Sequence, residues 1–198
     1  ARGLSEEQQQ LLNRMDDYAN RAIHLSEQFL QLARAESDDE LVFSEVNLLD
    51  IINSAREEIW GMAQARKMRL DVETELDEAW IHGNADLLGR SITNLLTNAI
   101  KYSPENGVIT IQLHEEQQEF RCCVQDQGHG IPAEELSTLF NRFQRGSLWK
   151  LSAHSGAGLG LALVKATVQR HHGRVDVSST PGKGSRFCIA LPAGEPAI

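Results

Sequence analysis

GAGLGLALVK, Gly156 to Lys165, places three glycines at alternate positions and then runs into an apolar, helix-like stretch. Glycines stand where backbone turns sharply or comes close to something else. Here the something could be a phosphate or a neighbouring helix. The spacing is GxGxG with no strand before it, so it is not a dinucleotide fingerprint. No GxxxxGK[ST] occurs either, so it is not a Walker loop. The loop alone leaves both readings open, and the rest of the chain has to choose between them.

Around it, from Leu136 to Val175, there is no Asp or Glu, while Arg142, Arg145, Lys150, Lys165, Arg170 and Arg174 all fall in that stretch. The chain as a whole carries a formal net charge of -9. A basic segment in an acidic chain suits a small polyanion, and the N–H groups of a helix start add to the attraction. The overall charge argues against a nucleic-acid binder, which needs a basic face. The composition, 41% hydrophobic and 24% charged, is that of a soluble globular protein, and 198 residues suit one domain or one plus an appendage. There is no membrane-span or signal-peptide pattern, and the abrupt start ARGLSEEQQQ suggests a fragment. Three cysteines, two of them adjacent, make a poor disulfide framework and fit a reducing, cytoplasmic setting, with one of Cys122 and Cys123 buried. His171 and His172 close a helix-like run, where they complement its dipole rather than hold a metal.

Further out, the first 38 residues read as one long helix. Leu11, Met15, Tyr18, Ala22, Leu25, Phe29 and Leu32 step alternately by four and three, a heptad rhythm that calls for partner helices. Residues 39–46 read as an acidic linker. From 47 to 192 helices alternate with strands: helix Asn47–Lys67, strands Arg69–Glu73 and Ala79–His82, helix Ala85–Tyr102, a hairpin of Val108–His114 and Glu119–Gln125, helix Pro132–Phe143, helix Gly158–His172 capped by Gly173, and strands Arg174–Ser179 and Ser185–Leu191. The expectation is an α+β fold, a two-layer α/β sandwich with a mixed sheet and helices on one face, preceded by the long N-terminal helix.

Two further stretches give the glycine loop company. On helix 85–102, Asn94, Asn98 and Lys101 share one face, beside Tyr102, while Leu88, Ile92, Leu95, Leu96 and Ala99 cover the other. Amides are poor helix-interior residues. A solvated face would account for them; so would a magnesium ion held by an amide oxygen, with phosphates held by Lys101. In CCVQDQGHGIP, Asp126 ends a strand and is followed by Gly128 and Gly130. This is either a tight turn or a carboxylate aimed into a pocket, where it accepts a hydrogen bond from a donor such as an adenine amino group.

Taken together, these residues resemble the catalytic ATP-binding domain of sensor histidine kinases, of the superfamily shared with DNA gyrase, the MutL repair proteins and a heat-shock chaperone (the Bergerat-type ATP-binding fold). NLLTNAIKYS resembles the N box, DQGHGIP the first glycine box, LFNRFQRG the phenylalanine box, SGAGLGLAL the second glycine box and GKGSRF the last one, in the family's order. The resemblance implies ATP and Mg2+ as ligands. Asn98 would bind the metal, with Asn94 beside it. Lys101 and Tyr102 would contact phosphates and nucleoside. Asp126 would bind adenine, with Gly128, Gly130 and Ile131 shaping its pocket and Ser185 lining it. Arg145 would reach the terminal phosphate from a lid, and Gly156, Gly158, Leu159, Gly160 and Leu161 would hold the lid's end and the phosphates. Gln144, Gln127 and Ala157 depart from the family pattern.

Residues 1–38 resemble the second helix of the family's dimerisation and phosphotransfer domain. The phosphoacceptor motif itself does not occur: His24 is followed by Leu25, Ser26 and Glu27, and the first proline is Pro104. The resemblance implies a kinase that phosphorylates a histidine outside this sequence, passes the phosphoryl group to a response regulator receiver domain, forms a homodimer through its N-terminal helices, and meets a membrane only through segments not present here. Hydrolytic relatives carry a glutamate base four residues before the metal-binding Asn; Asn94 stands there and cannot take a proton. The alternatives are a non-catalytic nucleotide sensor and a serine kinase of the anti-sigma-factor type.

Overall fold

A computed structural model describes residues 5–37, 41–144 and 158–194. Within them the order is α1 (Glu6–Glu36), β1 (Ser44–Asn47), α2 (Leu48–Ala65), β2 (Arg69–Glu73), β3 (Trp80–Gly83), α3 (Ala85–Tyr102), β4 (Val108–Glu116), β5 (Glu119–Gln125), α4 (Ala133–Leu136), α5 (Gly160–Arg170), β6 (Arg174–Thr180) and β7 (Gly184–Pro192).

The strands β2, β4, β5, β7 and β6, in that spatial order, form one sheet. β2 and β4 are parallel, joined by the crossover through β3 and α3, and all other pairings are antiparallel. Alternation decides which side is covered. Ile109, Ile111 and Leu113 of β4, Phe120, Cys122 and Val124 of β5, and Phe187, Ile189 and Leu191 of β7 form one core with the apolar faces of α2, α3 and α5. This is the two-layer sandwich expected, with helices on one face. A second, small sheet pairs β1 with β3 antiparallel. Ser44, Glu45 and Val46 of SEVN fall in the expected linker and Asn47 at the expected helix start, because so short and polar a stretch carries no strand pattern of its own; pairing with β3 makes it a strand.

The helices end where capping chemistry tells them to. Ser5 and Gln8 form a reciprocal capping box at the start of α1. Asn47 and Asn84 accept N–H groups from the first turns of α2 and α3. The helix expected over 132–143 shrinks to Ala133–Leu136. Beyond it the backbone closes tight turns instead, with Thr138 N–H on Glu135 O at 3.1 Å and Asn141 N–H on Thr138 O at 3.0 Å. α5 starts at Gly160 rather than Gly158, and its left-handed terminal residue is His172, at φ 57°, rather than Gly173. Gly173 is required for space: a Cβ there would lie 2.2 Å from the Ala190 carbonyl oxygen.

α1 touches the rest of the described chain near its C-terminal end. Leu32 and Ala35 join Leu87, Leu159, Ala162 and Leu163 in a separate apolar cluster, and Glu36 pairs with Arg142.

The cysteines correct the expectation from sequence. Cys122 and Cys123 are both fully buried. Cys122 faces the helices, where burial pushes its thiol up to about 12. Cys123 faces the other side and forms a disulfide with Cys188, a partner that lies 65 residues away. The β5–β7 register sets the two opposite each other, Cα–Cα 4.0 Å. On this helix-free side, Arg186 reaches over β5 to Gln112 and Arg121 reaches over β7 to Asp176. The cysteine argument for a reducing compartment therefore does not hold.

Candidate functional site

β5 delivers Asp126. The ladder with β7 runs one step past the strand, with Asp126 N–H on Ser185 O at 2.9 Å. The carboxylate then turns inward and is 5% exposed. Its Oδ1 accepts the Gly128 N–H at 2.7 Å and the Ser185 N–H at 3.1 Å. Burial pushes the carboxyl above the ordinary aspartate range, and the two backbone donors oppose that.

The glycines that follow serve backbone packing. A Cβ on Gly128 would lie 2.6 Å from the Tyr102 carbonyl oxygen, and Gly130, at φ +70°, would set one 2.1 Å from the Thr180 carbonyl oxygen. The first glycine box is thus wedged between the end of α3 and the end of β6. Ser179 fastens it there: its Oγ accepts the Ile131 N–H at 2.8 Å and donates to the Gly184 carbonyl at 2.9 Å.

α3 supplies the opposite wall. Asn98 and Tyr102 line a cleft of about 80 Å³ together with Asp126, Gly130, Ile131 and Ser185. Six residues singled out from sequence therefore meet at one place. His129, Glu135, Leu139 and Phe187 complete the lining. Sequence reasoning does not single these four out, although His129, Leu139 and Phe187 sit inside the quoted motifs. Leu139 and Phe187 are each 9% exposed, which gives one end of the cleft an apolar wall. Apolar side chains sharing a cleft with a buried carboxylate suit a base with an exocyclic amino group.

Other expected residues lie outside that lining. Lys101, in the last turn of α3, is half-buried, and burial holds its ammonium below the ordinary lysine value. Asn94 faces α5: its Oδ1 would be 2.9 Å from a Cβ on Gly160. Gly160 therefore answers one part of the glycine-loop question, since it lets the start of α5 approach α3. The Leu159 side chain is buried in the α1–α5 cluster, and Leu161 packs against the main core. The buried Leu159 side chain leaves its backbone groups alone for a ligand. Gln127 Oε1 accepts the Val108 N–H at 3.2 Å, a role in the fold rather than the cleft. Arg145, Gly156 and Ala157 lie outside the described residues, as does the His24 side chain.

Comparison with known proteins gives the family. Residues 83–195 match the family described as "Histidine kinase-, DNA gyrase B-, and HSP90-like ATPase", and the chain belongs to that family. The phosphate regulon sensor protein PhoR of Pseudomonas aeruginosa is 33% identical over 184 residues, 92% of this chain and 41% of PhoR. The circadian input-output histidine kinase CikA of Thermosynechococcus vestitus is 44% identical over 117 residues, 59% of this chain and 16% of CikA. The chain thus spans less than half the length of these relatives. Among solved structures, the mycobacterial sensor histidine kinase MprB matches with TM-score 0.66 at 29% identity, covering 77% of this chain and 98% of that one. Full-length ShkA in complex with AMPPNP shares the fold along all of this chain, with TM-score 0.83 at 22% identity and 41% of ShkA covered. The fold is that of the ATP-binding catalytic portion of sensor histidine kinases.

Proposed function

We propose that the cleft between α3 and the first glycine box binds MgATP, and that this chain is the part of a sensor histidine kinase that presents the γ-phosphoryl group to a histidine on a partner segment. One observation carries the reading: the amide of Asn98 and the buried carboxylate of Asp126 share one small cleft with an apolar wall. Asp126 accepts the adenine amino group. Asn98 offers a hard oxygen to Mg2+, which neutralises phosphate charge when bound. Lys101 suits phosphate contact because it is half-buried with its charge disfavoured, so a bound phosphate would relieve it. The N–H groups at the start of α5 and Arg145 serve the same polyanion. The protein's contribution to phosphoryl transfer is then positioning and charge stabilisation.

Transfer is favoured over hydrolysis because Asn94 occupies the place of a general base, and an amide cannot take a proton. The exposed heptad face of α1 supports homodimerisation, and the family relationship supports a response regulator receiver domain as the final acceptor and the cytoplasm as the setting. The test is calorimetric titration of the chain with AMP-PNP, with and without Mg2+, and with Asp126→Asn alongside. Binding enhanced by Mg2+ and weakened by the substitution supports the reading; a folded sample that binds nothing overturns it. In a longer chain carrying the acceptor, acid-labile labelling from [γ-32P]ATP supports histidine as the acceptor, and acid-stable labelling supports a serine instead.

A further inference from the structure

The last carbonyls of a helix have no partners within it. At the end of α3 these belong to Ala99, Ile100, Lys101 and Tyr102. Ser103 N–H serves Ala99. The Tyr102 carbonyl meets His129 Nδ1 at 3.2 Å. The remaining two are taken by one side chain from another helix. Arg66, the residue that caps α2, donates from Nη1 to the carbonyls of Ile100 and Lys101, and from Nη2 to that of Ser103 at 2.8 Å. Its own carbonyl accepts the Asn106 N–H at 3.1 Å, so the backbone beyond α3 is tied to Arg66 as well.

We propose that Arg66 is a positioning residue for the nucleotide site, acting through Lys101 and Tyr102. Its guanidinium lies at the negative end of the α3 dipole, where a cation is favoured. A planar fork holds several carbonyls in one fixed arrangement, whereas an ammonium offers three donors without that fixed geometry. The turn it secures carries the residues assigned to phosphate and nucleoside. Asp126, by contrast, takes its hydrogen bonds from the β5–β7 ladder and the Gly128 amide, so base recognition leans on Arg66 only through the packing of the first glycine box against the Tyr102 carbonyl. Loss of Arg66 should therefore weaken the hold on phosphates more than the hold on the base.

The inference rests on the nucleotide site proposed above, and the experiment separates the two. Calorimetric affinities for adenosine and for Mg-AMP-PNP are measured on the unaltered chain, Arg66→Ala, Arg66→Lys and Asp126→Asn, each checked for folding by thermal melting. The expected result for Arg66→Ala is about a tenfold loss for Mg-AMP-PNP with adenosine changed less than about twofold, the size of one lost charge-assisted hydrogen bond. Arg66→Lys, with three donors but no fork, recovers part of the loss and serves as the reading if the alanine variant does not fold. Equal losses for both ligands, or no loss for either, overturn the positioning role. If Asp126→Asn weakens binding while the Arg66 variants match the unaltered chain, this inference fails and the site stands. If the unaltered chain binds neither ligand, the site and this inference fall together.

Discussion

Helix α3 buries Leu87, Leu88, Ser91, Ile92, Leu95, Leu96, Ala99 and Ile100 within 18 residues. α1 has 31 residues and its buried apolar side chains are Leu32 and Ala35, while Leu11, Met15, Tyr18 and Phe29 remain more than half exposed. Both helices carry an apolar stripe that is plain in the sequence. α3 lies between α2, α5 and the sheet, so its stripe is the centre of the core and its polar edge is left for the cleft. α1 projects from the fold, and among the described residues its stripe is covered at the Leu32 end alone. Periodicity fixes that a segment is helical and which face is apolar; it does not say whether the cover comes from the same chain.

The largest expected effect separates the two helices. Leu96→Ala leaves a cavity under α3 and should lower stability by about 2–5 kcal/mol in urea denaturation. Leu11→Ala should change it by less than about 0.5 kcal/mol. If Leu11→Ala costs as much as Leu96→Ala, the α1 stripe is already covered in solution. Sedimentation over a range of concentrations would show this directly, and Phe29→Ser should then shift the population toward monomer.

Next comes the polar edge of α3 and its counterpart. Asp126→Asn keeps the shape of the carboxylate but removes the acceptor charge, and should weaken nucleotide binding by about tenfold to a hundredfold. Stability should not fall with it, since burial disfavours the charged carboxylate in the folded chain. A large drop in melting temperature would mean that Asp126 serves the β5–β7 ladder more than a ligand.

A smaller effect tests the far end of α3. His171 is buried, its Nδ1 lies 2.7 Å from the Thr167 carbonyl, and its Nε2 accepts the Asn84 N–H at 2.9 Å. Burial is the main reason its pKa lies below the ordinary histidine value. The unfolded chain therefore takes up a proton near pH 6.5 while the folded chain resists until lower pH. The contribution is complete above pH 6.5 and is lost as pH falls through the window below it. Denaturation at pH 7.5 and 5.5 should show this loss, and His171→Gln should flatten it. The smallest effect belongs to α1: Ser5→Ala removes a cap worth about 0.5–1 kcal/mol, visible as faster amide exchange in the first turn and not in the global melt.

Much of the core of this protein is legible in its sequence. α3, β2 and β5 begin and end where the sequence places them, because periodicity, an asparagine cap and turn residues all act within a few residues. The convergence of Asn98, Asp126 and Ser185 is reachable through motif order. Other features have no local signal. The strand SEVN exists through its pairing with β3. The Cys123–Cys188 bond depends on the register of β5 against β7. Nothing along the chain singles out Arg66; its role shows when the end of α3 is brought against it.

By itself, then, the sequence determined most of the helices and strands, which faces are apolar and which residue types could hold a nucleotide. The tertiary structure decided which carbonyls Arg66 caps, which sulfur faces Cys123, that the glycines of the first box pack against backbone, and that the described residues cover the α1 stripe at its Leu32 end alone. The reason is one of range: caps and periodicity are set by neighbours along the chain, whereas burial and long-range hydrogen bonds depend on what the whole fold brings together.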